Sequence, residues 1–231
     1  VTQEETEDIT CDLVIKPALY LMEAKLPLGF MRMVNAHIDH VRGFAPDHSR
    51  SLVGQIRQNS QSAQLKLDLA QREPAALASA IVQIATQYVT RQGFRATVTA
   101  NDMWSIHSYT GDYNPLHDHG GNTPLGLSSV LYLMVPPVVE RKAAVPHGGT
   151  PKMNMASGNC DGFTQFVWGA TGMRDFSLLR PPTQQYVKPE VGKLIVFPNW
   201  LLHSALPFFG EGERRTLSLN MDVKFDEPDW Y

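Results

Sequence analysis

The chain has 231 residues, 43% of them hydrophobic, which is enough to bury the core of one sizeable domain. Twenty basic and 23 acidic residues leave a formal net charge of -3, which excludes a global field that would attract nucleic acid or an anionic membrane. Two cysteines, Cys11 and Cys160, exclude a disulfide framework, and no apolar run approaches the roughly 20 residues of a membrane helix, so a soluble, cytoplasmic protein is expected.

Residues 1 to 12 are polar and acidic, unlike a secretory signal, and the start at Val1 in place of Met leads us to expect a trimmed N-terminus. Leu13-Val14-Ile15 and the run from Ala18 to Ala24 read as extended. Pro27 opens a helix, because proline is tolerated in a first turn and Phe30, Met33, Val34, Ile38 and Val41 follow at helical spacing up to Gly43. His37 and His40 lie on it with no third metal ligand near, and are expected to be surface or partly buried histidines. Residues 44 to 62 lack periodicity and read as a mobile connection, with His48 in solvent. Pro74 starts a second helix whose stripe is Leu77, Ile81, Ile84, Ala85 and Tyr88, with Gly93 as its stop.

From Phe94 the pattern changes to alternation broken by Gly, Pro and Asn, which predicts strands near 103–109, 113–119, 127–135, 162–168, 184–188, 193–197, 201–206 and 214–224. Strands after a helical front end predict a mainly β (α+β) fold, a double-stranded β-helix of the jelly-roll, cupin-like kind. The expected organisation is a single domain over 1–231, with helical support in 1–99 and the jelly-roll core in 100–225. The stretch 138–160 is a long loop, the kind that is either disordered or a lid.

The chemistry concentrates in three places. His117 and His119 project to one face of an extended segment, and His203 lies far downstream in an apolar, strand-like setting. Three imidazoles suit Fe, Zn or Cu and leave open positions opposite them. The common iron triad is His-x-Asp with a distant His, whereas this chain reads His117-Asp118-His119. A regular strand turns Asp118 to the opposite face, which favours His117, His119 and His203 as the set; a bulge would instead let Asp118 replace one of the pair. The bland alternative is a trio of ordinary strand-end histidines. On the last strand Arg214, Thr216, Ser218 and Asn220 share a face, while Arg215 points the other way and competes for any anion. A histidine pair, a distant histidine and a late arginine together suggest iron with an anionic cosubstrate.

The run from His117-Asp118-His119 to Ser128-Ser129-Val130-Leu131-Tyr132-Leu133, then Gly192 to His203, then Gly212 to Asn220, resembles the 2-oxoglutarate and Fe(II) dependent dioxygenases. The likeness covers roughly residues 100–225 and is closest to bacterial and phage members distantly similar to prolyl 4-hydroxylases. It implies Fe(II) on His117, His119 and His203, 2-oxoglutarate held by Arg214 through its distal carboxylate, and Thr216 and Tyr132 as further contacts to that carboxylate. A guanidinium fork suits this role, since it binds a carboxylate with two parallel hydrogen bonds and keeps its charge when buried. The implied activity is hydroxylation of an unactivated C–H bond, with dioxygen as second cosubstrate and a peptidyl, prolyl-like side chain as the first substrate class. Rival readings are a cupin-like three-histidine metal enzyme that does not use 2-oxoglutarate, and a non-catalytic binding module on the same fold. Membrane and nucleic-acid partners are not expected, since no basic stripe with interleaved aromatics is present. Trp104, Trp168 and Trp200 are assigned to packing. His107 and Tyr109 are candidates to face the cavity, with a hydrogen-bonded barrel histidine as the simpler reading of His107. His147 is expected in solvent on the long loop, and Asn114 either orients substrate or caps a turn.

Overall fold

The computed structural model describes residues 19–52, 54, 63–121, 125–145, 158–169 and 183–226. The extended segment expected at 13–15, Cys11, and most of the 138–160 loop with His147 lie outside the described residues.

Helix α1 (Leu28–Val41) and helix α2 (Arg72–Arg91) form where the apolar spacing predicts them. In α1 the buried stripe is Met31, Val34, Ile38 and Val41, and in α2 it runs through Leu77, Ile81, Ala85 and Tyr88. Helix α2 starts at Arg72, two residues before Pro74, and carries Glu73 in its first turn and Arg91 in its last, both complementary to the helix dipole. Gly93 ends it at φ 88°, a left-handed conformation that glycine adopts without a Cβ clash. The two helices meet at His37, whose Nδ1 lies 3.5 Å from Glu73 Oε2, and His40 packs edge-on against Phe44.

The strands are β1 (Met22–Lys25), β2 (Gln64–Leu67), β3 (Ala96–Ser108), β4 (Asn114–His117), β5 (Gly126–Met134), β6 (Thr164–Val167), β7 (Gln184–Val187), β8 (Lys193–Pro198), β9 (Leu202–Ala205) and β10 (Arg214–Phe225). A four-residue helix, α3 (Pro137–Glu140), follows β5. The strands form a six-stranded sheet in the order β1-β8-β5-β10-β3-β2 and a four-stranded sheet in the order β4-β9-β6-β7. This is the double-stranded β-helix. Every pairing among the described residues is antiparallel.

Two features differ from the expectation. Strand β3 begins at Ala96, and its ladder with β10 shifts register between Asn220 and Met221, so Asn101 has no partner there and interrupts the alternation. The part of the chain read as helical support also supplies both edge strands of the larger sheet, β1 and β2. The connection after α1 is tied down too: Ser49 is buried, accepts from the backbone N–H groups of Ala63 and Gln64, and donates to Asp47. His48 beside it is half-buried.

Alternation along the strands divides the core in two. Leu217, Leu219 and Met221 of β10, with Leu131 and Leu133 of β5, face α1 and α2 in the larger apolar cluster. Tyr132, Phe166, Val187, Ile195, Phe197 and Leu201 fill the space between the sheets. No helix among the described residues is long and apolar enough to cross a membrane.

Candidate metal centre and cosubstrate cavity

Strands β4 and β9 pair with His117 directly opposite His203. His119 lies just past the end of β4, where its backbone N–H donates to Asn199 O at 2.8 Å and ties it to the turn before β9. The three side chains thereby converge, with one ring nitrogen from each within 4.8 Å of the others.

Their tautomers follow from their partners. His117 Nδ1 lies 2.7 Å from Pro115 O and His203 Nδ1 lies 3.0 Å from Leu201 O. A carbonyl only accepts, so each Nδ1 carries its hydrogen and each Nε2 keeps a lone pair. Removal from water, then the nearby His117, holds His203 down at about 3 and His119 at about 4, so both are neutral at physiological pH. Imidazoles converging this closely have the chemistry of a metal-binding set, and the residues fit a divalent transition metal. Asp118 stands outside this set: its side chain is exposed and accepts a hydrogen bond from Gly120 N at 3.0 Å, forming a local turn.

The trio opens into a cavity of about 250 Å3 between the two sheets. Arg214, Thr216, Ser218 and Asn220 line it from β10, and Tyr132 from β5, as the strand parity requires. Arg214 is 3% exposed and donates from Nη1 to Gly162 O at 3.1 Å and Leu206 O at 2.8 Å, with its guanidinium 5.8 Å from the centre of the Phe208 ring. Burial lowers its pKa to about 10, which still leaves it cationic at neutral pH. These neutral carbonyls orient the guanidinium, and buried Asp112 favours its charged form. Tyr132 is fully buried, its hydroxyl 2.6 Å from Thr164 Oγ1, and burial pushes its pKa up to about 12. It is a neutral phenol beside a buried cation.

Of the other side chains read from the sequence, Trp104 and Trp168 pack as expected and Trp200 departs from it. Trp104 is buried and lies against His119, with ring centroids 5.6 Å apart, and Trp168 packs on the core between the sheets. Trp200 does not pack: it is 55% exposed on the β8–β9 turn, where its Cα and Cβ flank Gly120. The three residues between β8 and β9, Asn199 to Leu201, cross from one sheet to the other, and Asn199 and Leu201 are buried while Trp200 faces outward. His107 and Tyr109 point to the far side of the sheet, where Glu213 meets both. Asn114 lines the cavity with its Oδ1 buried and without a hydrogen-bond partner among the described residues. Thr164, the partner of Tyr132, had no motif to mark it.

The profile of the family described as "Putative 2OG-Fe(II) oxygenase" matches residues 102–220, from β3 to β10, and so spans the histidine trio and Arg214. The chain belongs to this family. The metal and cosubstrate of 2OG-Fe(II) oxygenases are Fe(II) and 2-oxoglutarate, with dioxygen as the second cosubstrate. No curated protein matches the chain. Among solved structures, the oxygenase is similar to the viral collagen prolyl hydroxylase of Paramecium Bursaria Chlorella virus-1 in its 2OG complex. They share 16% identity over 88% of this chain and 96% of that one, with a TM-score of 0.50. It is also similar to HygX from Streptomyces hygroscopicus, solved with nickel and 2-oxoglutarate (12% identity, 93% and 84% covered, TM-score 0.54). A third is the α-ketoglutarate dependent epimerase SnoN of nogalamycin biosynthesis (12%, 87% and 76%, 0.55). At these identities the likeness is one of fold.

Proposed function

We propose that this single-domain oxygenase hydroxylates an unactivated C–H bond, holding Fe(II) on His117, His119 and His203 and 2-oxoglutarate on Arg214. The observation that carries this reading is the placement of three converging imidazoles and one buried guanidinium in the same cavity. When bound, Fe(II) and 2-oxoglutarate supply the oxidising power: dioxygen is consumed as 2-oxoglutarate becomes succinate and CO2, and one oxygen atom passes to the substrate.

The chain's own residues select and orient. Arg214 offers the remaining donors of its fork to the distal carboxylate, in a setting where a charge-assisted hydrogen bond is strong because water is excluded. Thr216, on the same face of β10, adds a hydroxyl. Tyr132 remains protonated at any physiological pH, and so can donate to the same carboxylate while Thr164 holds the ring in place. The carbonyls of Pro115 and Leu201 keep Nε2 of His117 and His203 available as donors to iron. Asp118 serves the turn outside the metal set.

A peptidyl, prolyl-like side chain is the first substrate class in this proposal, supported by the shared fold of the viral collagen prolyl hydroxylase. We place the activity in the cytoplasm, where Fe(II) and the buried thiol of Cys160 stay reduced. A three-histidine enzyme working without 2-oxoglutarate is not favoured, given the family match. The test is anaerobic titration of apo-protein with Fe(II) and then 2-oxoglutarate, followed by a screen of proline-containing peptides for succinate formation. A visible charge-transfer band that needs both additions supports the site. Iron binding with no band on adding 2-oxoglutarate removes Arg214 from its role.

A further inference from the structure

The strand segment that carries Arg214 is held from behind. In the β10–β5 ladder Thr216 lies opposite Tyr132, yet Arg215 lies opposite Met134, so Leu133 has no partner and β5 bulges there. The bulge stands next to Arg214, Thr216 and Tyr132, the three residues proposed for 2-oxoglutarate. Bulges re-aim side chains, and they leave backbone groups that must be satisfied elsewhere.

Asn35, on α1, supplies what the bulge lacks. Its Nδ2 donates to the Leu133 carbonyl at 3.1 Å, and its Oδ1 accepts from Arg215 Nη1 at 3.0 Å. One carboxamide thus spans both strands at the point where their ladder slips. Arg215 is in turn fixed by Asp39 Oδ1 at 2.7 Å and by Glu213, whose Oε1 accepts from Arg215 Nε at 2.8 Å and faces His107 Nδ1 at 2.6 Å. Arg215 is 3% exposed and His107 fully buried. None of these side chains lines the cavity.

The residues on either side of Arg214 are therefore both locked on the outer face. A network centred on buried Arg215 and His107, with each of these contacts directional, has few alternative arrangements, so it fixes the backbone from which the Arg214 side chain projects. We propose that Asn35, acting with Arg215 and Glu213, is a positioning residue for 2-oxoglutarate: it sets the β5 bulge and thereby the spacing of Arg214, Thr216 and Tyr132. This rests on the reading that Arg214 holds the cosubstrate.

The experiment measures dissociation constants for Fe(II) and for 2-oxoglutarate in the Fe(II)-loaded protein under anaerobic conditions, together with the thermal midpoint. Asn35→Ala is expected to weaken 2-oxoglutarate binding roughly tenfold, the low end of what losing an outer-layer support costs a bound group, with Fe(II) binding unchanged. Val34→Ala, which removes buried apolar atoms from the same helix without touching the bulge, is expected to lower the thermal midpoint and leave 2-oxoglutarate binding unchanged. Equal weakening by Val34→Ala, or normal binding in Asn35→Ala, overturns the proposal. Should Asn35→Ala not fold, Arg215→Lys takes its place: lysine keeps the charge and lacks the fork, so weakened 2-oxoglutarate binding supports the proposal and wild-type binding overturns it. Arg214→Ala separates the two levels. If it binds 2-oxoglutarate normally, the underlying reading is wrong; if it alone loses binding, only the role of Asn35 is.

Discussion

His117 and His203 are direct partners across the β4–β9 ladder, with their ring centroids 4.4 Å apart. Two imidazoles this close cannot both be protonated without strong repulsion, and the low pKa of His203 reflects burial first and His117 second. With each Nδ1 turned to a backbone carbonyl, the pair is arranged to present its Nε2 lone pairs.

His203→Ala should lower Fe(II) affinity by more than about a hundredfold, exceeding the effect of losing an outer-layer partner, because one of three donors is gone. Asp118→Asn should leave the affinity within about twofold, since that exposed carboxylate accepts from Gly120 and is not part of the converging group among the described residues. Titration of apo-protein with Fe(II) under anaerobic conditions reads both. A large loss in Asp118→Asn would place the carboxylate on the metal.

Arg214→Ala should weaken 2-oxoglutarate binding by about two to three decades, the range for truncating one partner of a buried charged pair, with Fe(II) affinity nearly intact. Tyr132→Phe should cost less, about threefold to tenfold, corresponding to one hydrogen bond. Equilibrium binding to the Fe(II)-loaded protein distinguishes the two.

Acid should destabilise the fold through the cluster behind β10. Burial alone would push the Glu213 carboxyl up, but hydrogen bonds from His107 and Arg215 leave it well below the usual range. Its contribution is present above the ordinary value of 4.5 and is lost as pH falls below it. His107 is also lowered, by burial first, so its contribution is present above 6.5 and is lost as pH falls. Both signs agree. Denaturant unfolding should show stability dropping below about pH 6.5. Glu213→Gln should cost about 3 kcal/mol at neutral pH, because it removes the carboxylate paired with largely buried Arg42 and leaves Arg215 with Asp39 as its remaining ion pair among the described residues, and should flatten the lower part of the acid limb.

Trp104 and Trp200 should respond oppositely to truncation. Trp104→Ala removes a buried ring beside His119 and should cost about 3–5 kcal/mol. Trp200→Ala should change stability by less than about 0.5 kcal/mol, since the ring is mostly in solvent. Chemical denaturation of the apo-protein checks the pair.

Much of this was open to reading from residue patterns. Helical spacing marked α1 and α2 because each has one buried stripe, and alternation marked the jelly-roll strands because each has one face toward the core. The same parity placed Arg214, Thr216, Ser218 and Asn220 together and turned Arg215 away, as observed. Local order was less legible where it depends on distant partners. Strand β2 is short, and the turn at Ser49 is held by backbone groups of residues 63 and 64.

The sequence by itself determined the periodicities, the side-chain chemistry and hence the candidate residues, since these depend only on local geometry and on residue type. Tertiary structure alone decided the rest. Cross-strand pairing brought His203 opposite His117, a slip in one ladder created the bulge at Leu133, and the crossing from one sheet to the other left Trp200 in solvent. Each of these is a relation between segments far apart in the chain, and the energy that fixes it appears only once both segments are buried against each other.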